Sequence, residues 1–84
     1  MMSDVDETIR EIVNAHGLLP ISAYDLKDTD DLYARGLTSH ASVNVMLALE
    51  SEFDFEFPDT FLRRSTFESV SAIRSALTSL GVAQ

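Results

Sequence analysis

The chain reads as an all-α protein, a bundle of four helices, three long and one short, with a long ordered loop between the first and second. Three observations carry that reading. Apolar residues recur at helical spacing in three separate stretches, and serine, threonine or aspartate stands where each stretch begins. The 84 residues contain no cysteine, so helix packing has to supply the stability that disulfides give other small chains. The hydrophobic fraction of 45% is enough to build one core, and the chain is read as a single domain spanning 1–84.

The first helix is expected over about 4–16. Val5, Ile9, Ile12 and Val13 share one face, with Arg10, Glu11 and Asn14 elsewhere. Ser3 or Asp4 is the cap, acids crowd the first turn, and Gly17 is the stop. Residues 17–38 then form the long loop. It is rich in aspartate (Asp25, Asp28, Asp30, Asp31), yet Leu18, Leu19, Ile21, Leu26, Leu32, Tyr33 and Leu37 are too many apolar groups to leave in water. No register of these aspartates supplies the alternating ligands, glycine and distal glutamate of a calcium loop, so a solvated acidic loop is the expectation.

The second helix is expected over about 39–52, with Thr38 as its cap. Its inward face is read as Ser42/Val43, Met46, Leu49 and Phe53, with Val45 on the shoulder; its outward strip is His40, Asn44, Leu47 and Ser51. Phe53, Phe55 and Phe57 alternate with acids like a strand, but with no partner strand they read as an extended connector that inserts aromatics into the core. A short helix follows over about 59–64. Ser65-Thr66-Phe67-Glu68 has the form of a capping box and opens the last helix, about 66–80, which ends at Gly81.

Composition excludes several classes of function. Fourteen acids against six basic residues give a net charge of −8, which phosphate backbones and anionic membranes repel. Partners with basic docking patches would be steered towards such a surface. No apolar run is long enough to span a membrane and the start lacks a signal peptide's charge, so a cytoplasmic monomer is expected. Without cysteine, and with His16 and His40 far apart, no metal site is expected. Catalysis at Ser39 has little behind it, since Gly36-Leu37-Thr38-Ser39-His40 lacks the second glycine of a nucleophile elbow. His40 is no base for it, because adjacent helical residues point about 100° apart.

The chain resembles the acyl carrier proteins over essentially its whole length, with the stretch from Gly36 to Asp59 carrying the motifs. Gly36, Ser39, Val43, Met46, Ala48, Leu49 and Glu50 fit that family's serine motif and second helix, and Glu52-Phe53 through Pro58-Asp59 fits its continuation. The resemblance implies an acyl-carrier-protein-like bundle that is no enzyme. It implies a 4′-phosphopantetheine arm joined to Ser39 by a phosphopantetheinyl transferase, with Gly36, Leu37, Thr38 and His40 as the flanking motif. The arm's thiol would hold an acyl or aminoacyl group as a thioester, and that thiol is one the cysteine-free chain lacks. A free helix N-terminus suits a phosphate at that serine.

Thr38 and His40 depart from the family's usual aspartate and leucine, and the early exposed face of the second helix carries no acid. Those departures argue for a dedicated loading enzyme. The Gly-Leu-Thr-Ser-His-Ala-Ser-Val string resembles the bacterial aminoacyl carrier proteins, loaded by amino acid–carrier-protein ligases similar to seryl-type tRNA synthetases. A downstream acceptor enzyme completes the implied set of partners. The partner surface is read as Ala41, Asn44, Leu47, Glu50 and Ser51. The alternative reading is an acidic helical adapter in which Ser39 stays unmodified.

Overall fold

The computed structural model describes residues 4–82. Among them are three α-helices and no strand: α1 (Asp4–His16), α2 (Ser39–Phe53) and α3 (Val70–Ser79). Three 3₁₀ turns accompany them, Ala23–Asp25, Asp59–Phe61 and Arg64–Phe67. The all-helical class stands, but the expected short fourth helix over 59–64 is a single 3₁₀ turn. Pro58 sets its entry and Leu62 N–H closes it on Asp59 C=O, with too few residues to propagate α-helical bonding.

Helix α1 packs against both other helices. Its Ile9, Ile12 and Val13 are buried as their spacing requires, with Val5 half-buried. The cap read at Ser3 or Asp4 lies outside the described side chains. Gly17 does not supply the left-handed stop. Its N–H still bonds Val13 C=O at 2.8 Å, and the residue at positive φ is Leu18, at 55°.

Arg10, read as lying off the apolar face, is nonetheless only 7% exposed. Its guanidinium donates to Ala23 C=O at 2.8 Å, Leu26 C=O at 2.7 Å and the Asp28 carboxylate at 2.6 Å. Arg74 of α3 reaches the same carboxylate at 3.3 Å and pairs with Asp6 of α1. One aspartate thereby ties the 17–38 segment to two helices. Hydrogen bonding from Arg10, reinforced by Arg74, holds Asp28 below the usual carboxylate range despite its desolvation. Bonding to Asp6 likewise holds Arg74 above its ordinary value.

Two other loop aspartates also work locally. Asp30 accepts from Lys27 N–H at 2.9 Å, and Asp31 accepts from Tyr33 N–H at 3.0 Å. The acidic loop stays in contact with water, Asp31 exposed and Asp30 half-buried, and these two carboxylates also satisfy backbone donors that a tight path leaves without a helical partner. Ala23, Leu26, Leu32 and Leu37 of this segment are buried, and Leu32 N–H bonds Glu68 C=O at 2.7 Å. Leu18 and Ile21, expected to be anchors, are exposed instead, at 73% and 40%.

The last helix begins later than the capping box suggests. Its cap is Ser69, whose hydroxyl accepts from Ala72 N–H at 2.9 Å. Thr66 and Phe67 are instead buried in the preceding 3₁₀ turn, where Phe67 meets Phe57 edge-on at a centroid distance of 5.3 Å. Seating that ring in the core and continuing an α-helix through it demand different backbone paths, and burial of the aromatic prevails. Phe57 is buried and Phe53 and Phe55 are half-buried, as an aromatic connector should be.

Candidate functional site

Ser39 is the first residue of α2 and is exposed. Its position follows from the residues before it. Gly36 stands at φ 118°, with Pro20 Cδ only 3.1 Å from where a Cβ would be, so the turn that delivers the chain to α2 favours glycine twice over. Leu37 is buried and anchors the turn, its N–H bonding Leu32 C=O at 2.9 Å. Thr38 then caps the helix, its hydroxyl accepting from Ala41 N–H at 3.0 Å. Helix geometry aims the remaining first-turn amides off the end on which Ser39 and His40 stand, and no acid occupies that turn.

From Ser39 a groove of about 320 Å³ runs between α2 and the 62–67 segment. Ser42, Val43 and Met46 form its α2 side, and Leu62, Arg63, Arg64 and Phe67 line it from the other segment, with Tyr33 also in the lining. Arg64 lies over the Tyr33 ring with its guanidinium carbon 3.8 Å from the centroid, and Arg63 Nε donates to Thr60 C=O at 2.9 Å. Sequence reasoning missed Arg63, Arg64 and Leu62. The available signal was a pair of consecutive arginines in a chain so rich in acids.

The face of α2 is rotated from expectation. Ala41, Val45 and Leu49 are its buried residues, while Val43, read as inward, is 49% exposed along the groove. Ala41 is 1% exposed and is therefore no contact for a partner. Glu50 turns inward as well: its carboxylate accepts from Phe57 N–H at 2.8 Å and holds the connector after α2. Leu47, 52% exposed, and Ser51 remain on the surface, with Asn44 half-buried between them and the serine end. No group of three potential metal ligands occurs among the described residues, and none of their helices is long and apolar enough to cross a membrane.

The family model described as the phosphopantetheine attachment site matches residues 7–74. The chain belongs to that family. Its cofactor is covalent 4′-phosphopantetheine on a serine, and its role is that of a carrier protein. The chain is 47% identical to the aminoacyl carrier protein of Agrobacterium fabrum over 87% of its own length and 88% of that protein's. Among solved structures it is similar to a carrier protein from Agrobacterium tumefaciens, complexed with an engineered Bradyrhizobium japonicum glycine:[carrier protein] ligase and AMP. That likeness has a TM-score of 0.85 and 46% identity, covering 87% of this chain and 97% of the other. A second likeness is to a structure of the B. japonicum ligase complexed with glycylated carrier protein, with a TM-score of 0.76 and 28% identity over 88% and 99%.

Proposed function

We propose that Ser39 is the attachment point and that the protein carries a small aminoacyl group, glycine foremost, placed on its arm by a dedicated ligase. The observation that carries this is the setting of Ser39: an exposed hydroxyl on a capped helix start, opening directly onto a groove. The residues present fit the group. Thr38 takes up the Ala41 amide and leaves the serine end of the helix positive and free of acids, which favours a phosphodiester there. Val43, Met46 and Leu62 give the groove apolar sides suited to the methyl-bearing part of the arm, and the arginines give it polar ones. When bound, the group supplies a thiol that a chain without cysteine cannot.

The protein's own part is to hold and present the arm. Ser39, Gly36, Leu37, Thr38 and His40 form the motif that a phosphopantetheinyl transferase reads. Leu47 and Ser51, on the exposed strip of α2, are the surface offered to the ligase. The aminoacyl cargo is supported by the names of the relatives, one described as glycylated. In this reading the chain is a substrate of both enzymes and catalyses neither step, and a downstream enzyme accepts the cargo.

The test is intact mass after treatment with coenzyme A and a phosphopantetheinyl transferase. It is followed by a glycine:carrier-protein ligase with ATP and glycine. The wild type is expected to gain one arm and then one glycyl group, while Ser39→Ala gains neither. Arm gain by Ser39→Ala would move the attachment site elsewhere, and a holo protein that accepts only other amino acids would reject the glycine assignment.

A further inference from the structure

Arg10, Arg35 and Arg74 each lie against a carboxylate. Arg63 and Arg64 have no ion-pair partner among the described residues, although acids outnumber bases 14 to 6 in this chain. Both arginines are nonetheless held in place. The Thr60 carbonyl fixes Arg63 through Nε and leaves its two terminal nitrogens available, and the Tyr33 ring supports Arg64 from one face. Both line the groove that Ser39 opens. Two positioned guanidiniums without a carboxylate are a fork awaiting an anion, since planar paired N–H donors match phosphate oxygens better than any other side chain does.

We infer that Arg63 and Arg64 form an anion site for the phosphodiester of the arm on Ser39, and so lay the arm along the groove rather than into solvent. The inference rests on Ser39 being the attachment point, and adds a role for two residues outside the serine motif. A phosphodiester on Ser39 carries one negative charge, and α2 has no lysine or arginine to meet it; the α2 residues flanking the groove beyond Ser39 are Ser42, Val43 and Met46. The cations come from across the groove. Both arginines are exposed, so the attraction is screened by salt and biases the arm's position without locking it.

The experiment compares apo and holo protein, with ¹⁵N-labelled arginine side chains and ³¹P detection of the arm. Mass spectrometry verifies attachment in the same sample. Conversion to the holo form is expected to shift the Nε–Hε resonances of Arg63 and Arg64, leaving those of Arg10 and Arg74 in place. The ³¹P resonance is expected to move as NaCl rises from about 20 to about 500 mM, a range over which the Debye length falls several-fold. A holo protein with unchanged Arg63 and Arg64 signals would overturn the site while leaving attachment intact. Arginine shifts that appear only when a loading ligase is added would also overturn it, assigning the pair to partner docking. A wild type that gains no arm would overturn both readings at once.

Discussion

A single carboxylate, Asp28, holds together more of this molecule than its place in an irregular segment suggests. Arg10 spends its donors on two carbonyls of the 17–38 segment and on Asp28, and Arg74 brings α3 to the same oxygen pair. Breaking one donor of so connected a guanidinium leaves partly buried acceptors unsatisfied, at about 1–3 kcal/mol each. The Asp28 carboxyl is held below its ordinary value, so between its folded and unfolded pKa the native state binds fewer protons than the unfolded chain. Stability from this residue is therefore present above about pH 4 and lost as pH falls through the depressed value. Asp28→Asn is expected to destabilise the protein at pH 6, with the difference from wild type shrinking as the pH is lowered to about 3. Urea titrations of both proteins across that range check it; a difference that ignores pH would mean the carboxylate acts by shape and hydrogen bonding alone.

Among elements, the 17–38 segment is the one whose character had to be seen. Leu32 is fully buried and bonded to Glu68 C=O, whereas Leu18 is 73% exposed in a left-handed conformation at φ 55°. The two leucines should respond oppositely. Leu32→Ala is expected to cost about 2–4 kcal/mol through the cavity it leaves. Leu18→Gly relieves a strained backbone with no core contact to lose, and is expected to be neutral or stabilising by up to about 1 kcal/mol. Thermal melts of both variants decide the matter, since 1 kcal/mol moves the midpoint of so small a domain by about 4–8 °C. Loss of stability in Leu18→Gly would mean the side chain packs in solution.

The sequence carried the span of α2, its Thr38 cap and the exposure of Ser39, because caps and helix starts are written in neighbouring residues. It did not carry the helix's rotation. Ala41, Val43, Val45, Met46 and Leu49 offer apolar groups on more than one face, so periodicity alone chose Val43 where packing chose Ala41 and Val45. The capping box at Ser65 misled for a related reason. Ser65 and Ser69 are both sound caps by type, and only the burial of Phe67 against Phe57 selects the second. Arg63 and Arg64 were invisible as site residues because the groove brings the 62–67 segment against the first two turns of α2, a pairing that no local pattern announces.

For the molecule as a whole, charge is the property that sets its response to solvent. Attraction and repulsion compete. The ion pairs of Arg10 and Arg74 stabilise the fold and weaken when salt screens them, although the Arg10 guanidinium is largely shielded from water. Against them stands a net charge of −8 on 84 residues, repulsion that compaction intensifies and salt relieves. Screening acts most strongly on exposed charges a Debye length or more apart, which describes the surplus acids better than the short bridges around Asp28. Glu52, Asp54 and Glu56 stand near the C-terminal end of α2, exposed and with no ion-pair partner among the described residues, so the repulsive share is the more accessible to salt. The melting temperature is accordingly expected to rise by several degrees between about 10 and about 200 mM NaCl at neutral pH, a gain of about 1 kcal/mol. Scanning calorimetry over that range measures it directly. A fall with salt would show that the Asp28 hub outweighs the excess of acids, and the same scan on Asp28→Asn would then have to rise.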